Sequence, residues 1–194
     1  MNRRIEILSR ETVFKNFFRI IQARLRFEKY DGTMSHEVTR LVFERGDSVA
    51  ALVHDADADT LTFTEQFRYP TVASGPGWII EIPAGSVEED EEPADTMRRE
   101  LEEEIGCRVE SITPIHAFYV SPGGSSERIH LYYAIVTPES YVSEGGGLAS
   151  EHENIRIVTL PVKDAFAQMW AGQIQDAKTL IALQWLHLRR QANP

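Results

Sequence analysis

The amino-acid sequence predicts an α+β fold in which a mixed β-sheet is covered by helices in a layered sandwich. Strand-like segments outnumber helical ones and do not alternate with them regularly, which argues against a doubly wound fold. A hydrophobic fraction of 42% is typical of a folded globular chain. The 194 residues suffice for one domain of ordinary size with a small additional part.

The predicted strands begin in the N-terminal half, where apolar and β-branched residues recur between short turns. Asp31-Gly32 and residues 45–47 are typical turn sequences, and the Asp-rich segment 55–60 predicts a third turn. The strand segments predicted along the chain are residues 13–28, 36–44, 48–54, 61–70, 78–85, 111–120, 128–136 and 155–161.

Helices are predicted mainly by the residues at their ends. Pro93 suits a first helical turn, because the missing N–H is not needed there, and Gly106 suits the residue after the last turn. Asp176 is a typical N-cap before an amphipathic segment. The predicted helices cover residues 93–105, 163–171 and 176–190.

Negative charge is concentrated in one segment of the chain. The formal net charge is −10, and residues 85–106 contain ten Asp or Glu against two Arg. Because non-specific nucleic-acid binding needs a basic surface, we expect no nucleic-acid partner. Cys107 is the only cysteine, which excludes an intrachain disulfide. The sequence has no signal-peptide pattern and no run of transmembrane length, so we expect a cytoplasmic protein without a membrane partner.

Three acids of this segment are predicted to share one face of the helix. Glu100, Glu103 and Glu104 are spaced i, i+3 and i+4, and like charges at this spacing repel one another. A hard divalent cation such as Mg²⁺ or Mn²⁺ prefers oxygen ligands and would relieve that repulsion. A solvated acidic helix face is the alternative explanation of the same charge pattern.

The acidic segment runs from Gly85 through Glu91 and Arg99 to Gly106 at fixed spacings, with the three helix acids between Arg99 and Gly106. This spacing resembles the Nudix box. The resemblance implies an α/β/α sandwich and an enzyme that hydrolyses a nucleoside diphosphate linked to another group. It also implies that the Ala84 carbonyl and the three helix carboxylates hold the metal, and that Glu91 pairs with Arg99. Cys107 is the one departure, where a larger aliphatic residue is usual. The matching fixed positions are Gly85, Glu91, Arg99, Glu100, Leu101, Glu103, Glu104 and Gly106.

Segments outside the box resemble the branch of the Nudix superfamily that cleaves ADP-ribose and related nucleotide sugars. They include "VFERGDSVAALV", "LTFTEQFRYP", "WIIEIPAG" and "VSPGGSSERIHLYYA". The segment "SPGGSSE" has a simpler explanation as an ordinary hairpin loop. Arg68 has a simpler explanation as a surface cation. The resemblance assigns substrate contacts to Arg40, Arg68, Ser121, Gly123, Gly124 and Glu127.

The loop "GGGLASEHEN" is expected to be a mobile lid that carries a carboxylate towards the metal site. By resemblance, Glu151 aligns with the general base, and Glu153 is the alternative. Glu103 is included with these two in the predicted catalytic set, in addition to its expected role as a metal ligand.

The resemblance predicts hydrolysis of ADP-ribose to AMP and ribose 5-phosphate. GDP-mannose or another nucleotide sugar is an alternative substrate, and a catalytically silent nucleotide-binding module is an alternative of a different class. We expect residues 1–45 to form an N-terminal β-strand subdomain and residues 46–194 to form the Nudix domain. Because such N-terminal strands commonly exchange between subunits in this branch, we expect a homodimer.

Overall fold

The computed structural model describes residues 3–148, 150 and 153–192. The chain forms two compact units. The N-terminal unit consists of Met1–Asp47 together with Tyr119–Arg128, and the larger unit consists of Ser48–Phe118 together with Ile129–Pro194. The structure therefore groups the segment after the eighth strand with the N-terminal strands. The expected boundary after residue 45 stays a prediction.

The N-terminal unit contains an antiparallel sheet of three strands, β1 (Ile5–Lys15), β2 (Arg19–Phe27) and β3 (Val38–Glu44). The prediction of one strand over residues 13–28 is wrong, because the chain reverses between β1 and β2. The side chain of Asn16 accepts a hydrogen bond from the Phe17 N–H at 2.9 Å and closes this turn. No Gly or Pro marks it in the sequence.

The larger sheet has seven strands, and five of them run in the order β10-β5-β4-β9-β8. Strand β6 pairs with β5, and β7 pairs with β4. The predicted strand 78–85 is thus two short strands, separated at Ile82 and Pro83. The strands are β4 (Asp47–Asp55), β5 (Thr60–Phe67), β6 (Trp78–Glu81), β7 (Ala84–Ser86), β8 (Thr113–Tyr119), β9 (Arg128–Val136) and β10 (Arg156–Pro161).

Helices cover both faces of this sheet, as the alternating side chains of β4 show. Val49, Ala51 and Val53 pack with helix α1 (Pro93–Ile105). Ala50 and Leu52 pack in a second cluster with helices α2 (Val162–Trp170) and α3 (Ala177–Ala192). A strand buried on both faces explains the continuous apolar run in its sequence. The predicted α+β class and layered sandwich are confirmed.

Helix α1 has the bounds that its end residues predict. It begins at Pro93, and Gly106 follows its last turn in a left-handed conformation with φ of 68°. The Gly106 N–H donates to the Glu102 carbonyl, and the Cys107 N–H donates to the Leu101 carbonyl.

Within the residues described, no helix has both the length and the apolar character needed to cross a membrane.

Gly106→Ala is expected to destabilise the protein more than Gly172→Ala. Both glycines have positive φ, 68° and 71°, so an alanine at either position carries backbone strain of about 1–2 kcal/mol. A Cβ at Gly106 would also lie 2.1 Å from the Ser143 carbonyl oxygen, whereas among the described residues a Cβ at Gly172 meets no atom within 4 Å. Thermal unfolding of the two variants measures the difference. Equal losses of stability would contradict the packing explanation.

Candidate active site

Helix α1 is held by its apolar side, and this fixes where its acidic side chains lie. Met97, Leu101 and Ile105 are buried in the core cluster beneath the sheet. Glu104 is carried into the interior between them and is 1% exposed, which is unusual for a carboxylate. Glu100 lies one turn earlier with a side chain that is 13% exposed. The helix therefore buries Glu104 and partly buries Glu100, two acids of the predicted metal face.

The backbone at the start of β7 packs directly against these two acids. The Ala84 N–H donates a hydrogen bond of 2.9 Å to Oε2 of Glu104. A Cβ on Gly85 would lie 2.0 Å from the carboxyl carbon of Glu100, so only glycine leaves room for that carboxylate. Gly85 therefore allows the Glu100 side chain to approach the backbone closely.

Burial makes both carboxylates hold their protons more tightly than an exposed glutamate does. It raises the pKa of Glu104 to about 8, and the neighbouring Glu100, Glu153 and Glu81 act in the same direction against the Ala84 hydrogen bond. Burial also raises the pKa of Glu100 to about 7, where Arg99 opposes the shift and Glu103 and Glu153 increase it. The site consequently favours any cation that can neutralise these groups.

Arg99 is the positive partner of the acids on the outer part of the helix. Its guanidinium contacts Glu103 at 2.8 Å, Glu100 at 3.1 Å and Glu91 at 3.3 Å. Glu91 also accepts a hydrogen bond of 2.7 Å from the Thr96 hydroxyl. The pairing of Glu91 with Arg99 that the sequence predicts is thus present, as part of a larger ion cluster. Arg99 and Glu103 also line a cavity of about 430 Å³ beside the helix.

The donor set fits a hard divalent cation. In the described part of the chain, no three His, Cys, Asp or Glu side chains already converge as ligands. Arg99 engages Glu100 and Glu103 instead, and the Ala84 N–H engages Glu104. Carboxylate oxygens are the ligands that such ions prefer. Glu104 is buried, Glu100 is partly buried and both have raised pKa values, and the Glu100 carboxylate fills the space that the missing side chain of Gly85 leaves.

The sequence matches the NUDIX domain over residues 44–183. The chain belongs to the Nudix family. The family resemblance predicted from the spacing of the box is confirmed. Enzymes of this family generally need a divalent metal ion.

Named relatives cover nearly the whole Nudix chain. An ADP-ribose pyrophosphatase from Escherichia coli (strain K12) is 39% identical over 97% of this chain and 90% of its own length. A GDP-mannose pyrophosphatase from Cronobacter sakazakii (strain ATCC BAA-894) is 33% identical over 97% of this chain and 98% of its own. The crystal structure of an ADP compounds hydrolase superposes with a TM-score of 0.71 at 18% identity, covering 97% of this chain and 95% of that one. This last similarity concerns the fold.

The glycine loop after residue 144 packs on the C-terminal end of helix α1. The Gly146 N–H donates to the Glu104 carbonyl at 2.9 Å, and the Gly147 N–H donates to the Glu103 carbonyl at 3.1 Å. A Cβ on Gly147 would lie 2.7 Å from Cβ of Glu153. Hydrogen bonds and close packing therefore hold Gly146 and Gly147 against α1, and the mobile lid stays a prediction.

This packing brings Glu153 towards the Nudix carboxylates. Its Oε2 accepts a hydrogen bond of 3.1 Å from the Leu148 N–H. It is also close enough to Glu100 and Glu104 to raise the pKa of both. Glu151, the preferred general base in the sequence analysis, lies outside the described residues.

Arg68 lies at the end of β5 and is held by a residue that the sequence analysis did not select. Its Nε–H donates to Oε1 of Glu81 at 2.7 Å. Glu81 is 3% exposed and also pairs with Lys178. A charged residue inside the apolar run "WIIEIPAG" was the available signal, because a buried carboxylate needs a partner.

The other predicted substrate contacts belong to the N-terminal unit. Arg40 is exposed on β3, with an Nη–H that donates to the Thr39 carbonyl. Residues 121–125 form a turn in which the Gly124 and Ser125 N–H groups donate to the Ser121 carbonyl. Gly123 is exposed in this turn. Glu127 follows it and contacts Arg45 at 3.4 Å. The assignment of these residues to substrate binding stays a prediction.

Without added metal, the protein is expected to lose stability as the pH rises. Glu104 and Glu100 bind protons more tightly in the folded chain, with pKa values of about 8 and about 7. Their protonation therefore stabilises the folded state at low pH, and this contribution is lost as the pH rises through those values. Melting temperatures measured in chelator from about pH 5 to about pH 8.5 test this.

Two variants on helix α1 identify the source of the pH dependence. Glu104→Gln removes the more deeply buried group and is expected to flatten the slope. Glu102→Gln, at an exposed residue paired with Arg108, is the matched control and is expected to retain it. An unchanged slope in Glu104→Gln would contradict the assignment.

Proposed function

We propose that this Nudix protein hydrolyses the pyrophosphate bond of a nucleoside diphosphate sugar, with ADP-ribose as the main substrate and AMP and ribose 5-phosphate as products. The observation that carries the proposal is the packing of the buried Glu104 and the partly buried Glu100 against the backbone of Ala84 and Gly85. A binding module has no need to bury two like-charged groups whose pKa values are raised. The 39% identity to an ADP-ribose pyrophosphatase supports the substrate.

The carboxylates of the box would hold the metal ion. Glu100, Glu103 and Glu104 supply oxygen donors, and by resemblance the Ala84 carbonyl supplies another. Mg²⁺ or Mn²⁺ suits these ligands. The bound ion would neutralise the diphosphate and make a water molecule more acidic. Gly85 keeps the Glu100 carboxylate in place, since any side chain there would displace it.

A further carboxylate would take the proton from the attacking water. Glu153 is the candidate for this role because it lies close to Glu100 and Glu104. Glu151 remains the alternative from the sequence. The water oxygen would bond to one phosphorus while the bond from that phosphorus to the bridging oxygen breaks. A positioned base contributes about 10²–10⁴-fold to such a step.

Arg68 is proposed to contact the nucleotide or its phosphates. It is 42% exposed at its side chain, and Glu81 holds its Nε–H. The proposed substrate contacts also include Arg40, Ser121, Gly123, Gly124 and Glu127.

A cytoplasmic location is also proposed. The lone buried thiol at Cys107 is compatible with it.

Glu104→Gln is expected to nearly abolish turnover, because the variant loses the most buried of the proposed metal ligands. Glu153→Gln and Glu151→Gln separate the two candidate bases, and loss of the base is expected to lower kcat by about 10²–10⁴-fold. Released AMP is measured in each variant with Mg²⁺ and then with Mn²⁺. Glu102→Gln, on the same helix, is the control for activity. Near-normal turnover in Glu104→Gln would defeat the ligand assignment.

A substrate panel distinguishes the proposed activity from its alternatives. ADP-ribose, ADP-glucose, GDP-mannose and UDP-sugars are compared by kcat/KM, and ADP-ribose is expected to rank first. Preference for GDP-mannose would agree with the 33% identity to a GDP-mannose pyrophosphatase and change the substrate alone. Binding of a nucleotide sugar without product from any of them would instead favour a catalytically silent module.

We also propose that the protein is a homodimer formed through its N-terminal strands. All eleven residues of β1 are exposed in the single chain, among them Ile5, Ile7 and Phe14. Apolar side chains exposed along one strand are typical of an interface. The three-stranded sheet of the N-terminal unit therefore offers a surface that a second copy could cover.

Sedimentation of the purified protein at micromolar concentration is expected to give twice the chain mass of 22.0 kDa. Ile7→Lys combined with Phe14→Lys is expected to shift the protein towards the monomer, because it places two charges in the proposed interface. Leu188→Lys, at an apolar residue exposed on α3, is the matched control. A stable monomer of the unmodified chain would rule out the dimer.

A further inference from the structure

Four charged side chains form an ion cluster beside the Nudix box. Lys178, near the start of α3, pairs with Glu81 of β6 and contacts Asp176 at 3.0 Å. Glu81 uses its other oxygen to accept the Nε–H of Arg68. The side chains of Lys178 and Glu81 are 11% and 4% exposed. Two positive and two negative groups thus balance, and Arg68 is the member that reaches solvent.

The backbone around this cluster is fixed by neighbouring hydrogen bonds. Asp176 caps α3 by accepting the Thr179 N–H at 2.9 Å and the Thr179 hydroxyl at 2.6 Å, as the sequence predicts for its N-cap. The Thr179 hydroxyl oxygen accepts the Ile82 N–H at 2.9 Å. Lys178 and Glu81 therefore face each other from two segments that cannot easily shift.

Lys178 is charged despite its burial. Burial alone would lower the pKa of Lys178, but Glu81 and Asp176 together hold it above its usual value. A buried carboxylate without a cation would carry a large desolvation cost, so the position of Glu81 depends on its ion pair with Lys178. The Glu81 carboxylate in turn orients the guanidinium of Arg68 by accepting its Nε–H at 2.7 Å.

We propose that Lys178 is a positioning residue for substrate binding, which holds the buried Glu81 carboxylate so that Glu81 aims Arg68 at the substrate. The inference rests on the proposed function, because Arg68 is taken to contact the nucleotide or its phosphates. Lys178 itself does not touch the substrate. Its influence passes through Glu81, and it ends if Arg68 is removed.

A double-mutant cycle tests this route. Lys178→Met and Arg68→Ala are each expected to raise KM for ADP-ribose about tenfold to a hundredfold, the range for loss of a hydrogen bond to a charged group. The variant carrying both changes is expected to be no worse than Arg68→Ala alone, because the two residues act in series. The Mg²⁺ concentration for half-maximal activity is expected to stay unchanged. Lys163→Met, the same change at an exposed lysine of α2, is the control.

A second variant covers the case in which Lys178→Met does not fold. Glu81→Gln combined with Lys178→Met removes both buried charges together, so neither is left unpaired. Circular dichroism and the melting temperature verify folding. This pair variant also removes the carboxylate that orients Arg68, and its KM is expected to rise as in Arg68→Ala.

Two results would overturn the inference in an enzyme whose unmodified form is active. One is a KM in the folded Lys178→Met or pair variant that equals that of the unmodified protein. The other is additive losses in the cycle, which would indicate a general structural role. If the unmodified protein cleaves no nucleotide sugar, the proposed function fails instead, and the two failures are thereby distinguished.

Discussion

The packing of the buried Glu104 and the partly buried Glu100 against the first residues of β7 is the constraint on which the rest of the site depends. Like charges removed from water are unfavourable unless they are neutralised, and raised pKa values express that cost. The apolar side of α1 supplies the opposing stabilisation, since Met97, Leu101 and Ile105 are fully or almost fully buried. Burial of the apolar side of α1 therefore offsets the cost of removing Glu104 and part of Glu100 from water.

The backbone segment that leads into β7 is also held from the other face of the sheet. Helix α1 packs on one side of β4, and α3 belongs to the cluster on the opposite side. Between them, Ala84 donates to Glu104 of α1, while Ile82 donates to Thr179 of α3. The segment from Glu81 to Gly85 thus connects the proposed metal ligands to the ion cluster around Arg68. Its geometry depends on both helices.

The sequence identifies the features that repeat locally, and it misses those that depend on distant packing. Pro93 and Gly106 give the bounds of α1 because caps act within one turn. Spacing alone puts Glu100, Glu103 and Glu104 on one helix, but not the degree to which each is buried. The reversal at Asn16 relies on a side-chain hydrogen bond, and the pairing of Glu81 with Lys178 spans 97 residues. The first contact is local but has no Gly or Pro to mark it, and no short-range pattern encodes the second.

The acids of the box divide according to which positive group can reach them. On the exposed side, Asp95 pairs with Arg98 and Glu102 pairs with Arg108, and such pairs contribute little to stability. Arg99 forms ion pairs with Glu91, Glu103 and one oxygen of Glu100. Among the described residues, no Lys or Arg forms an ion pair with Glu104. Because Asp95, Glu102 and Glu103 of α1 have positive partners and the innermost Glu104 is left to a proton or an external cation, the helix has an acid without a positive partner where the metal is proposed to bind.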